Sequence, residues 1–184
     1  MTLPVAMKLI AVAALWAGAT AAFAHVYLET PTAAAGSNYK AVFVVGHGCN
    51  ESPTTAIAVQ IPEGFEVSRH EAKPGWAVAT QPARFVRPDG SQGKQSSDIG
   101  AVTWTMSSRE VALANATANT FVLHGKVPAQ AGPLWFKVRQ TCEQGESNWA
   151  DIPAPGVSAK ALKTPAVLLE VGPGAAGAHQ HHRH

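Results

Sequence analysis

The sequence predicts an all-β fold, a single β-sandwich with Greek-key-type connections of the immunoglobulin or cupredoxin kind. Three observations carry this. Val and Thr are common, and charged residues make up only 14% of the 184, a mixture that suits half-buried pleated surfaces. Short β-type runs recur, several with clean apolar–polar alternation. Turn clusters stand between them, drawn from 16 Gly and 13 Pro. Many short strands at regular spacing imply a sandwich or barrel.

In chain order the runs are VYL, YKAVFVVGH, TTAIAVQIP, FEVSR, WAVAT and ARFVR. AVTWTM, TFVLHGKVP, LWFKVRQTC, ESNWAD and AVLLEV follow. In the third run Ile57, Val59 and Ile61 share a face. In LWFKVRQ, Leu134, Phe136 and Val138 share one face, and Trp135, Lys137 and Arg139 the other, as a period of two requires. Pro62-Glu63-Gly64, Lys73-Pro74-Gly75, Pro88-Asp89-Gly90 and Ala131-Gly132-Pro133 mark turns. No amphipathic helix of ordinary length is present, and SSREVALANATANT reads as a helical or irregular insert. There is no internal repeat.

Residues 1–24 read as a secretory signal. Lys8 gives a weak basic start, an apolar stretch follows, and Ala22 and Ala24 fit the A-x-A cleavage pattern. The alternative is a retained anchor, for which the stretch is short. Cleavage after Ala24 removes Lys8 and leaves 13 basic against 12 acidic residues. That near-neutral balance gives no general pull on nucleic acid. The expected product is a soluble, exported, periplasmic monomer with no membrane span. In an oxidising compartment an isolated cysteine pair, here Cys49 and Cys142, is most simply a disulfide. Thiolate metal ligation, with His47 beside Cys49, is the alternative. Residues 172–184 are poor in apolar pattern and should stay disordered. His179, His181, His182 and His184 crowd this tail. Interrupted by Gln180 and Arg183, it reads as a native auxiliary metal-collecting tail more than as an expression tag.

Export changes the chemistry of His25. As a first residue it offers an α-amine and an imidazole Nδ1 to one metal. Unperturbed α-amines have a reference pKa near 8 and free imidazoles near 6.5, a range in which such groups can give up protons to a metal at neutral pH. Two nitrogens and an oxygen suit Cu(II) better than Mg or Ca.

The chain resembles the YcnI-like family of exported copper-binding domains. HVYLETPTAAAGSNYKAVFVVGHGC, SPTTAIAVQIPEGF, RHEAKPGWAV, VTWTM, FVLHGKVP and LWFKVRQTCEQGESNW carry the resemblance. It covers most of the expected domain, residues 25–171. The resemblance implies a β-sandwich holding one Cu(II) through a single-histidine brace. His25 then supplies amine and imidazole, Glu71 before Lys-Pro-Gly-Trp supplies oxygen, and Trp149 lies beside the metal. Trp149 has an N–H and no lone pair for a metal, so it should shield or hydrogen-bond the site. Trp76 reads as packing, and Trp104 and Trp135 as core or sheet-face residues. His70 should face away from Glu71 unless it turns in as a ligand. His47 and His124 read as structural histidines.

The function implied is non-enzymatic: a periplasmic copper chaperone or carrier that exchanges metal with donor or acceptor proteins of the cell envelope. The alternative is a copper-dependent oxidative enzyme of the monooxygenase type. That chemistry needs a second histidine across the copper and a substrate face. A blue-copper carrier needs a Cys thiolate, two His and often a Met, which the surroundings of Cys142 lack. A purely structural sandwich is the remaining reading.

Overall fold

The computed structural model describes residues 25–50, 52–83, 99–113 and 119–174. The expected leader, the ARFVR run beyond Ala83 and the tail histidines lie outside the described residues.

Among the described residues eleven strands build two sheets. They are β1 (Tyr27–Leu28), β2 (Thr32–Ala34), β3 (Asn38–Val45), β4 (Thr54–Gln60), β5 (Glu66–His70) and β6 (Trp76–Pro82). Then come β7 (Ile99–Met106), β8 (Asn119–Lys126), β9 (Gly132–Cys142), β10 (Glu146–Trp149) and β11 (Val167–Gly172). The smaller sheet has the order β1-β3-β8-β5; the larger runs β2-β11-β9-β4-β7-β6, with β10 also on β9. Sequence-distant strands are neighbours, as Greek-key connections require. Among the described residues the helical content is two short 3-10 turns, Arg109–Val111 and Ala159–Ala161. The first stands within the expected insert.

The alternation translates directly into packing. Ile57, Val59 and Ile61 are all at most 1% exposed. Phe136 and Val138 are fully buried, and Lys137 and Arg139 on the other face are exposed. The two sheets meet through Phe43 of β3 and Phe136 of β9, ring centroids 5.3 Å apart and nearly perpendicular. Phe65 also meets Phe136, with ring centroids 5.2 Å apart. Trp104 and Phe121 fill the neighbouring layer. Each such aromatic removes 150–250 Å² from water.

β2 has no counterpart in the expected runs. It is three residues long and pairs in parallel with β11, Ala33 opposite Val171. Its stability comes from that long-range partner, and three residues of Thr-Ala-Ala carry no alternation to announce it.

β9 organises the larger sheet. Its first half pairs with β11 and its second half with β10, both on one side, while β4 lines the other. The loop after β3 is tied to the end of β9 by the Cys49–Cys142 disulfide, across 93 residues. The expected pairing is therefore present, and it clips the two sheets together at one pole of the sandwich.

Candidate metal centre

His25 lies at that pole, two residues before β1. Its half-buried ring stands edge-on to Trp149, with centroids 5.6 Å apart and planes at 85°. Trp149 is placed by sheet register: it ends β10 opposite Val138 of β9, so its side chain points into the core with Val138. It is 4% exposed. The structure thus brings together two of the three expected site residues.

The indole N–H is already committed. Trp149 Nε1 donates to Gln140 Oε1 at 3.1 Å. Gln140 is 1% exposed, and its Nε2 donates to the His47 carbonyl at 2.6 Å and to Thr54 Oγ1 at 2.8 Å. A buried carboxamide costs several kcal/mol unless bonded, and this one has partners at both ends. Trp149 therefore presents its ring to His25, while its hydrogen bond faces inward. The shielding part of the sequence expectation fits this geometry; the N–H is used in holding the ring. Gln140 was missed in the sequence. The signal was there: it continues the inward-facing series Leu134, Phe136, Val138, and a polar residue at a core position needs a partner.

The loop after β3 completes the pole. Gly48 approaches the Ser52 carbonyl so closely that a Cβ on it would lie 1.8 Å from that oxygen. Cys49 and Ser52 exchange backbone hydrogen bonds at 3.1 and 2.9 Å. His47, half-buried, has its Nδ1 2.6 Å from the Gly48 carbonyl. A cleft of about 320 Å³ opens beside His25. It is walled by Tyr27, Pro31, Lys160, Pro165 and Val167.

Glu71 is elsewhere. It follows β5, and its backbone N–H bonds Val122 of β8. β5 and β1 are opposite edges of the four-stranded sheet. Strand spacing near 4.8 Å separates them by roughly 14 Å across the sheet alone. The carboxylate takes a hydrogen bond from His124 Nε2 at 2.6 Å. Lys40 Nζ and Arg69 Nη2 lie 3.9 and 4.0 Å away. His124 and its two cationic neighbours are cross-strand partners in one row, Lys40–His124–Arg69. The His124 hydrogen bond, helped by the Lys40, His124 and Arg69 charges, holds the Glu71 carboxyl below its ordinary range. The structure does not bring Glu71 together with His25. The physical reason is topological: E-x-Lys-Pro-Gly-Trp ends an edge strand on the far side of the sheet.

The Lys-Pro-Gly-Trp element has its own role. Trp76 N–H closes the turn onto the Lys73 carbonyl at 2.9 Å. Gly75 takes φ +77° and a Cβ there would lie 2.6 Å from Val111, so glycine is required on two counts. The turn seats Trp76 against Phe121, centroids 5.4 Å apart, and lays the Lys73 ammonium over the same ring at 5.1 Å. Trp76 is packing, as expected. Trp104 is fully buried and donates its Nε1–H to the Glu71 carbonyl. Trp135 is half-buried on the outer sheet face. His70 faces the core side opposite Leu123, with its Nδ1 buried and without a hydrogen-bond partner among the described residues. His124 is the structural histidine expected, bonded to Glu71.

Among the described residues no group of three or more His, Cys, Asp or Glu side chains is placed to hold a metal ion. A terminal histidine needs no such group, because two of its donors belong to one residue. Nor is any helix among them long and apolar enough to cross a membrane.

No curated protein matches the chain. Among solved structures it is similar to an uncharacterized protein from Nocardia farcinica with an immunoglobulin-like fold. That match has 26% identity and a TM-score of 0.61, covering 80% of this chain and 97% of that one. The seventh ScaB type I cohesin of Pseudobacteroides cellulosolvens is a more distant likeness, with 11% identity and a TM-score of 0.43 over 87% of this chain and 97% of the cohesin. A family model described as a domain of unknown function, DUF1775, matches residues 25–171. Two sheets packed as an immunoglobulin-like sandwich and a match across the whole folded region agree: the chain belongs to the DUF1775 family, which is the YcnI-like family.

Proposed function

We propose that this protein is an exported, periplasmic copper carrier or chaperone that holds one Cu(II) on the α-amine and imidazole of a mature N-terminal His25. The observation that carries the reading is the seating of His25. Its ring stands edge-on to a buried tryptophan whose orientation is locked from behind by Gln140. A chelating residue at a chain end is otherwise free to sample many rotamers. An aromatic wall narrows that choice without occupying a nitrogen. Neither ring nitrogen of His25 has a hydrogen-bond partner among the described residues, so its lone pair is unclaimed.

The donor set is hard-to-intermediate nitrogen, which favours Cu(II) over Cu(I). Glu71 is left out of it. Two cations within 4.0 Å of its carboxylate oppose a third positive charge there. An accessible site at the end of a rigid sandwich suits exchange of copper with an envelope donor or acceptor. The histidines at 179, 181, 182 and 184 would act as auxiliary ligands that raise the local ligand concentration around the domain.

The test is Cu(II) titration of two forms of the protein, read by electron paramagnetic resonance. One begins at His25; the other carries a single added residue before it. The added residue turns the α-amine into an amide nitrogen, which holds its proton far more tightly. Every side chain is kept, so affinity at the folded site should drop tenfold or more, about 1.4 kcal/mol or greater. Equal affinity in the two forms would sink the proposal. Substituting the four tail histidines by alanine should remove only additional, weaker copper equivalents.

A further inference from the structure

We propose that the outer face of the larger sheet carries a binding site for an acidic peptide, an extended segment of a partner protein with carboxylates at alternate positions. The site does not depend on the copper reading.

Alternation builds it. In β9, Phe136 and Val138 point into the core, so Lys137 and Arg139 point out. Register then fixes their neighbours. Gln60 of β4 lies opposite Lys137, Ala101 of β7 opposite Gln60, and Gln81 of β6 opposite Ala101. The next row sets Arg139 between Asn148 of β10 and Ala58 of β4. Ala58, Gly100 and Ala101 thus form a floor of small residues. Long polar side chains stand on both sides of it. The two cations are on β9, and Gln81 is on β6, three strand spacings or roughly 14 Å away. The result is a shallow cleft of about 530 Å³ lined by these residues.

Its polar groups are unspent. The side chains of Lys137, Arg139, Gln60, Gln81 and Asn148 have neither a hydrogen-bond nor an ionic partner among the described residues. No acid among them lines the cleft. Glu146 of β10 stands on the Thr141 row and forms no ion pair with Arg139. The outer face of the smaller sheet shows what a spent cluster looks like. There Lys40 and Arg69 also share one row, yet the Glu71 carboxylate lies within 4.0 Å of both. Two neighbouring cations repel each other unless an anion joins them, and in the β9 cleft the described residues supply none.

Spacing selects the occupant. Lys137 and Arg139 are two residues apart on one strand face, about 7 Å. Side chains at alternate positions of an extended peptide have the same spacing, so two carboxylates on one edge meet both cations at once. Charge-assisted hydrogen bonds of this kind are the strong class, and a guanidinium offers paired donors to a carboxylate. Gln60 and Asn148 flank the cations, and a carboxamide offers both a donor and an acceptor, as a peptide unit demands. An acidic saccharide matches the charge less completely. Sugar rings stack on aromatic faces, and no aromatic side chain among the described residues lines the cleft. A formal net charge of only +2 adds no wider field for a polyphosphate.

The test is a peptide titration of the isotope-labelled protein beginning at His25, followed by backbone amide chemical shifts. The probe is acetyl-Ser-Glu-Thr-Glu-Ser-amide. Saturable shifts are expected at Ala58, Gln60, Ala101, Lys137 and Arg139. Replacing both Glu of the peptide by Gln should abolish them, and placing the two Glu side by side should weaken binding several-fold. Lys137→Gln with Arg139→Gln should weaken it about tenfold. Lys40→Gln with Arg69→Gln should leave it unchanged. An unchanged melting temperature would verify the fold of each variant. No saturable shift in the parent overturns the proposal, and so does equal binding of the side-by-side peptide. Shifts of equal size at Lys40 and Arg69 would show general charge attraction and overturn it as well. Tighter binding of trigalacturonate than of the peptide would replace the peptide by an acidic saccharide. The parent titration decides the matter even if a variant does not fold.

Discussion

His25 leads into β1, the edge strand of the four-stranded sheet that contains His124, and the two histidines meet opposite kinds of neighbour. His124 lies in a row between Lys40 and Arg69 and gives its Nε2 to Glu71 at 2.6 Å. Its chemistry is spent on holding the β5 edge. His25 has an aromatic wall, Trp149, at 5.6 Å and no ionic partner among the described residues. The difference teaches what makes a histidine available. Proximity to a carboxylate looks like a metal site in a list of residue types, yet a carboxylate already bonded and flanked by two cations repels a metal cation. An imidazole packed on a ring edge keeps both its orientation and its lone pair.

The sharpest way to break the His25 pole is to cut its clip. Replacing both cysteines, Cys49→Ala with Cys142→Ala, releases a closure of 93 residues and should cost roughly 3–5 kcal/mol. For a domain of this size that is a fall in melting temperature of about 8–15 °C, read by calorimetry with and without reductant. The Glu71 edge makes no contact with this bridge, so Glu71→Gln in the cysteine-free background should change stability by the same amount as in the parent. A departure from additivity would mean that the two regions are coupled.

A smaller effect tests the tryptophan. Trp149→Phe keeps an aromatic wall and removes the N–H, leaving Gln140 Oε1 buried without its donor. The expected cost is about 1–3 kcal/mol. Gln140→Leu strands the His47 carbonyl and the indole N–H and should cost a similar amount. The double variant should lose less than the sum of the two, because the broken bond is shared. Strict additivity in urea unfolding would show that the Trp149–Gln140 hydrogen bond contributes little.

These residues also show how far the sequence could be read. Alternation located the long strands, because burying one face imposes a period of two. Leu134, Phe136 and Val138 in β9 were visible for that reason, and Gln140 was visible by its violation of the same pattern. β2 was invisible, since its partner β11 lies far along the chain. The cysteine pair was legible from its isolation in an exported chain. His25 stood out through the cleavage pattern. Trp149 and Glu71 came only from the resemblance, and the structure separates them. The conspicuous Lys-Pro-Gly-Trp signature marks a turn that packs Trp76 and Lys73 on Phe121; its recognisability reflects the demands of the fold. The match of Lys40 and Arg69 around His124 requires strand order, which no local spacing encodes.

The smallest predicted effect is Glu71→Gln, and it distinguishes the two regions most directly. If the metal site is the His25 pole, the substitution leaves Cu(II) affinity unchanged; a tenfold loss would return Glu71 to the ligand set. Its consequence should appear in acid stability. The Glu71 carboxyl is held below its unfolded value by the His124 hydrogen bond and by the Lys40, His124 and Arg69 charges. A depressed carboxyl stabilises the folded state above its unfolded pKa, near 4.3, and that contribution is lost as pH falls through the folded value. The parent should therefore melt above the variant at neutral pH. The gap should narrow below about pH 4.3 and close once Glu71 is protonated in both states. The carboxylate is partly exposed, so solvent and salt weaken the pair and the gap should be small. Raising the ionic strength should shrink it further. Melting curves of the two proteins from pH 7 to pH 3 would measure this. A gap that widened toward low pH would contradict the assignment of Glu71 as a structural partner of His124.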